Sequence, residues 1–168
     1  MSNPSDPERG AILDCLSRKI SEQQVLDILR CDREQAAARA GGWLEEAEHA
    51  HDATLVSYGL YLAHIFGDTS IPTHLLVSLL GSAWHKSHED IVGVLARRAD
   101  ADAARALFEA ATARHEYLAF DEAYALGVKC VFALARIRTA ESAEFLRQLA
   151  KSENEVLASA ARARLGDD

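Results

Sequence analysis

Apolar residues recur along this chain at intervals of three and four, which is the spacing of one face of an α-helix. Near the start, Ile12, Leu16 and Ile20 form such a stripe behind Pro7, a residue suited to the first turn of a helix. Strong β-forming residues do not gather into alternating runs, which would predict strands. The pattern therefore predicts an all-α protein.

Two segments, 55–66 and 121–137, are apolar around most of the helix circumference. Helices of this kind are covered on several sides, so we expect both to be central. Gly127 lies inside the second segment and predicts a close approach by a neighbouring helix. Gly41 and Gly42 predict the end of an earlier helix.

Capping residues mark where the helices should begin. A Ser, Thr, Asp or Asn that precedes a helix accepts hydrogen bonds from its first free N–H groups, often with Gln or Glu three residues later. By this rule helices are predicted to begin at Asp6, Ser21, Asp32, Thr139 and Ser152.

Leucines that anchor similar helix pairs recur at a long period. Leu76, Leu107 and Leu146 lie 31 and then 39 residues apart, each inside an Ala-rich helical pattern that follows a polar turn. A period in this range is typical of stacked helical pairs, whose exposed faces usually bind other molecules.

The order of motifs in the last repeat resembles a known family. Residues 133–137, 143–146 and 152–167 follow the order of short HEAT-like (armadillo-type) repeats, the kind found in phycobilisome-lyase-like proteins, although Arg138 replaces the usual glycine. The resemblance covers residues 62–166 and implies an α-α superhelix that binds partners. On this interpretation residues 1–52 are a divergent helical cap, and residues 53–168 are the repeats of one continuous unit.

The net charge and the cysteines indicate which class of partner and which cellular compartment to expect. The net charge of −8 and the lack of a clustered basic patch argue against nucleic acid and favour a basic protein partner. Cys15, Cys31 and Cys130 show no CxxC spacing, and the first residues do not read as a secretion signal. No apolar run reaches the roughly 18 residues of a membrane span. We therefore expect a cytoplasmic protein without a membrane segment.

Candidate catalytic chemistry is sparse. No nucleophile or phosphate-binding motif is present, and we predict no catalytic residue, no metal ligand and no cofactor. Two His-Glu dipeptides, at 88–89 and 115–116, keep a metal-dependent enzyme open as an alternative. The HEAT-repeat enzyme deoxyhypusine hydroxylase holds iron through four such pairs, whereas this chain has two.

The best candidate for a functional surface is the lengthened repeat around residues 115–124, whose tyrosines are of the type enriched in interface hot spots. The same rings filling a gap in the core remain an equal alternative. We predict a non-enzymatic protein-binding module, in one concrete form an immunity protein that neutralises a toxin or effector domain, and otherwise a scaffold for a regulatory or cofactor-carrying partner. The predicted partner-binding residues are Trp84, His85, His88, Glu89, Arg97, Tyr117, Asp121, Glu122, Tyr124, Arg136 and Glu155.

Overall fold

The computed structural model describes residues 4–119 and 124–166, and within them the chain is entirely helical, without strands. The predicted all-α class is therefore confirmed. The α-helices are α1 (Asp6–Leu16), α2 (Glu22–Leu29), α3 (Arg33–Ala50), α4 (Ala53–Phe66), α5 (Thr73–Leu80), α6 (His88–Arg98), α7 (Ala104–Thr112), α8 (Ala125–Ile137), α9 (Ala140–Leu149) and α10 (Glu155–Leu165). Single 3-10 turns, Ala101–Ala103 and Glu116–Leu118, precede α7 and α8.

Three of the predicted helix starts are formed by reciprocal capping hydrogen bonds. The side chains of Ser21, Asp32 and Thr139 each accept from the backbone N–H three residues later, at 3.3, 2.8 and 3.1 Å. The side chain at that third position accepts from the N–H of the capping residue in return, at 2.9 to 3.0 Å. These local signals are sufficient to set the starts of α2, α3 and α9.

Two predicted starts are displaced. α1 is capped by Ser5 rather than Asp6, because the Glu8 side chain accepts from the Ser5 N–H at 2.7 Å. α10 is capped by Asn154 rather than Ser152. The Ser152 hydroxyl accepts from the Asn154 N–H at 3.1 Å and so orders the turn that precedes the helix.

The predicted helix end at Gly41 and Gly42 is wrong, because α3 continues through both to Ala50. Gly41 is buried where the chain near Ser70 passes, and a Cβ there would lie 3.4 Å from the Ser70 carbonyl oxygen. The Ser70 hydroxyl also donates to the Ala37 carbonyl at 2.7 Å. Because Gly41 has no side chain, the chain at Ser70 can pack closely against the middle of α3.

The chain divides into two compact units, Met1–Leu75 and Leu76–Asp168, with the division inside α5. In the first unit α3 packs along α4, and α1 contacts both α2 and α4. Its core contains Trp43 and Leu44 of α3 against the apolar face of α4. The predicted boundary between residues 52 and 53 stays a prediction.

In the second unit α8 is the central helix. It packs against both α6 and α10, and α7 and α9 contact both each other and α8. Gly127 permits this packing as predicted, since a Cβ there would lie 2.5 Å from Leu157 Cδ2 and 2.6 Å from the Ala111 carbonyl oxygen. Stacked helical pairs pack in this way, while the superhelix and its family stay predictions.

Candidate functional site

All of the predicted partner-binding residues belong to the second unit, where they separate into two groups. Trp84, His85, His88 and Tyr117 come together at the start of α6, where His115 joins them. The others with described positions lie on α6, on α10, or on or just before α8. Asp121 and Glu122 lie outside the described residues.

The first group is built around three imidazole rings, which we call the histidine stack: His85, His88 and His115. The His88 ring lies between the other two, with centroid distances of 4.5 Å to His85 and 3.9 Å to His115. Tyr117 stacks beside His88 at 5.7 Å, and Trp84 meets His85 edge-on at 4.9 Å.

Every ring nitrogen of His85 and of His88 takes part in a hydrogen bond. His88 donates from Nε2 to the Ser82 carbonyl at 2.7 Å, and its Nδ1 accepts from the Tyr117 hydroxyl at 2.8 Å. His85 likewise donates from Nε2 to a carbonyl of α5, at 2.8 Å, and its Nδ1 accepts from the N–H of Ser87 at 3.1 Å. Both rings are therefore held as neutral Nε2–H tautomers.

Burial keeps the stack uncharged at neutral pH. The pKa of His88 is lowered to about 4: burial is the largest cause and the neighbouring imidazoles add to it, whereas the hydrogen bond to Ser82 opposes them. Burial also lowers the pKa of His85 and of His115, and it raises the pKa of Tyr117.

The prediction that His85 and His88 lie on the surface is wrong. Their exposed fractions are 1 % and 0 %. The reason is that backbone carbonyls and a tyrosine hydroxyl satisfy the ring nitrogens, which removes the usual penalty for burying them. Tyr117 itself is half-buried, and its hydroxyl is used inside the protein.

The second group remains accessible. Arg97 and Tyr124 are exposed, and Tyr124 has a left-handed backbone with φ of 50°. Glu89 pairs with Lys129 at 2.5 Å, and Arg136 donates from Nε to a backbone carbonyl of α6 at 2.7 Å. These two charged groups tie α6 to α8 as well as facing solvent.

Two exposed apolar side chains that the sequence analysis missed lie on the neighbouring helices α8 and α10. The Phe132 ring is 44 % exposed, and the Cζ of Arg164 lies 4.2 Å from its centroid. Val156 on α10 is 41 % exposed, next to Glu155, which pairs with Arg162. We call Phe132, Val156 and Arg164 the α8–α10 face.

Phe132 was expected to be buried because nearly all of its helix is apolar. The sequence did contain a contrary signal. Lys129 and Arg136 lie seven residues apart, so they mark one side of the helix, and Phe132 is three residues after the first of them. That spacing places the ring on the solvent side.

Within the described residues, no group of three or more His, Cys, Asp or Glu side chains is placed to hold a metal ion. Burial raises the pKa of Cys130 to about 12, so this thiol stays protonated at neutral pH. No helix in the described part of the chain has the length and apolar character needed to cross a bilayer.

Comparison of the chain with family models, with curated proteins and with solved structures finds no match. The HEAT-like family therefore stays a prediction drawn from the repeat residues.

Proposed function

We propose that this chain is a non-enzymatic protein-binding module that docks its partner on the α8–α10 face. The observation that carries the proposal is the exposed Phe132 ring beneath the Arg164 guanidinium. Aromatic and Arg side chains are enriched among residues that dominate binding energy. The guanidinium already lies over the ring, so less ordering is required when a partner docks.

The packing of the second unit supports a HEAT-like superhelix as the scaffold of this surface. α8 contacts both α6 and α10. Phe132 on α8 and Val156 on α10 are exposed apolar residues on these two adjacent helices. A stack of helices presents side chains in this way to an extended partner.

The histidine stack gives a physical reason to favour binding over catalysis. In a metal-dependent enzyme built on the His-Glu pairs, the His88 imidazole would need a free nitrogen. Both of its nitrogens instead hold hydrogen bonds, to Ser82 and Tyr117. The adjoining Glu89 pairs with Lys129. These contacts support a structural role for the pair.

We propose that the partner is a basic protein, and that the module is an immunity protein acting in the cytoplasm. Residues 1–75 contain 12 Asp or Glu and only 6 Lys or Arg, and residues 40–85 contain no Lys or Arg at all. A field of one sign accelerates encounter with a partner of the opposite sign. A scaffold for a regulatory protein is the alternative with the same docking surface.

Binding by the α8–α10 face is tested by replacing its two exposed apolar residues. Phe132→Ser with Val156→Ser should weaken retention of partner protein from host lysate at least tenfold, because buried apolar contact area is lost on the complex. The unfolding midpoint should change little, because both side chains are already largely solvated.

The matched control is Leu13→Ser with Ile28→Ser, two first-unit residues that are 43 % and 42 % exposed. This variant should retain the partner like the wild type. Equal retention by all three proteins, or loss only in the control, contradicts the proposal.

The immunity assignment has its own test. Each protein encoded by a gene that flanks the gene for this chain is expressed in a growth assay, alone, with the wild type, or with the Phe132 and Val156 variant. We expect growth with the wild type and inhibition with the variant. Absence of protection by the wild type rejects the immunity role, and leaves the docking surface to the retention assay.

A further inference from the structure

The hydrogen bonds of the histidine stack accept no additional proton without loss. His85 Nδ1 accepts from the backbone N–H of Ser87, the residue that precedes α6. A proton on Nδ1 of His85 would make this nitrogen a donor that faces a second donor, the N–H of Ser87. A backbone N–H cannot rotate to present an acceptor, as a hydroxyl can. Protonated His85 therefore loses its hold on the start of α6.

The outer ring of the stack is equally intolerant of charge. His115 Nε2 is buried and has no hydrogen-bond partner among the described residues. Its ring centroid lies 3.9 Å from that of His88. A proton on His115 would thus place a charge at a nitrogen without an acceptor, and a second charge on His88 would add direct repulsion.

The charged groups around the stack do not compensate for a proton. Burial is the largest cause of the raised pKa of Tyr117, and the negative charges of Glu89 and Asp90 on α6 raise this pKa further. Glu89 is further engaged by Lys129 of α8. Beside His115, Arg114 and Glu116 are exposed, and within the described residues no carboxylate forms an ion pair with a ring of the stack.

The stack joins two parts of the second unit. His85 and His88 stand at the start of α6, whereas His115 and Tyr117 belong to the connection between α7 and α8. The described part of the connection reaches α6 through the stacking contacts and through the hydrogen bond from the Tyr117 hydroxyl to His88. The described part of this connection contains one 3-10 turn, Glu116–Leu118, with no buried residue.

We propose that the histidine stack is an acid-sensitive latch, which fastens the connection between α7 and α8 to the start of α6 and releases it when the imidazoles are protonated. The latch goes beyond the proposed binding function and does not depend on the identity of a partner. It gives the chain a response to mild acid that is confined to one segment.

The direction of the response follows from the lowered pKa values. A histidine released from the stack regains a pKa near 6.5, so the open form binds protons more tightly than the closed form. The closed form is therefore fully favoured above pH 6.5, and it loses this advantage as the pH falls toward about 4, the pKa of His88 in the stack. Between pH 7 and pH 5, His88 alone increases the opening equilibrium about twentyfold.

The direct test is hydrogen exchange of the amides of residues 114–119 in the full chain at pH 7 and pH 5, corrected for the intrinsic pH dependence of exchange. We expect the opening equilibrium of this segment to rise about twentyfold, while the amides of α3 and α4 keep their protection. Equal opening at both pH values, or loss of protection throughout the chain, overturns the latch.

Two variants separate the latch from general acid effects. His88→Gln keeps a donor for the Ser82 carbonyl but cannot be protonated, so the rise in opening of segment 114–119 between pH 7 and pH 5 should lose the His88 contribution and keep only that of His85 and His115. His64→Gln replaces an exposed histidine of α4 and should behave like the wild type. A pH response in His88→Gln as large as that of the wild type contradicts the proposal.

A titration of the wild type keeps the test decisive even if His88→Gln does not fold. The imidazole C–H resonances of all seven histidines are followed by NMR from pH 8 to pH 4. We expect the resonances of His85, His88 and His115 to titrate below the ordinary histidine value of 6.5, and the transition of His88 to coincide with opening of the segment. Titration of these three histidines near 6.5 overturns the latch.

Discussion

At the scale of single residues, the ends of several helices contain side chains where glycine is the favoured residue. Arg138 ends α8 with φ of 55° and ψ of 37°, in the left-handed region. The sequence resembles a repeat family that has glycine at this position, so the departure was visible before the structure. The structure shows that Arg138 nevertheless adopts the left-handed backbone, which is strained for a residue with a Cβ.

Arg138→Gly should therefore stabilise the protein by about 1 kcal/mol, since glycine adopts this backbone without a clash at Cβ. The measurement is chemical denaturation. Arg147→Gly, in the interior of α9, is the control and should destabilise by about 1 kcal/mol, because there the helical backbone favours a side chain. Destabilisation by both variants would contradict the argument.

The histidines show why some residues could not be placed from sequence. His85 and His88 stand among polar neighbours, which favours exposure. Their burial depends on carbonyl acceptors six residues earlier in the chain and on a tyrosine 29 residues later. No local spacing predicts that these acceptors and the donor converge, because the turn from residue 81 to residue 87 and the folding of the connection decide it.

At the scale of elements, predictions succeeded where the signal lies within one helical turn. The capping pairs at the starts of α2, α3 and α9 are four residues long, and all three were predicted. The end of α3 was predicted wrongly because the role of Gly41 depends on Ser70, 29 residues away. The apolar character of α8 correctly predicted a central helix, but it also led to the wrong prediction that Phe132 is buried.

The contact at Gly127 offers a sharp test of helix packing. Gly127→Ala should destabilise the protein by about 2 kcal/mol or more, because the new Cβ would meet a leucine of α10 and the backbone of α7. Gly93→Ala on α6 is the control. A Cβ there has only the end of the Arg97 side chain nearby, at 3.9 Å, so this variant should stabilise by up to about 1 kcal/mol. Equal unfolding midpoints for the two variants would exclude close packing at α8.

At the scale of the whole molecule, the negative charge is uneven. Of the net −8, the first unit carries most, since acidic residues outnumber basic ones two to one in residues 1–75 but are nearly balanced in residues 76–168. The α8–α10 face is in the second unit, where Arg164 contributes a positive group. In the proposed function, the field that would attract a basic partner and the apolar contact that would hold it therefore belong to different units.

Charge reversal in the first unit should change how fast the partner binds. Glu45→Lys with Glu48→Lys, on α3, should slow association severalfold at low salt and leave dissociation nearly unchanged. Stopped-flow mixing at two ionic strengths measures both rates. The control, Glu109→Lys with Glu141→Lys, alters the net charge equally but in the second unit, and should slow association less. Identical rates for the two variants would show that only net charge matters.

The central claim is that a protein partner contacts the α8–α10 face, and site-directed photo-crosslinking tests it most directly. A photoreactive phenylalanine analogue is placed at Phe132 or, as the comparison, at Leu13, and the chain is irradiated in host cells. The account predicts a crosslink to a partner protein from position 132 and none to that protein from position 13. Crosslinking from position 13 alone, or from neither position, would contradict it.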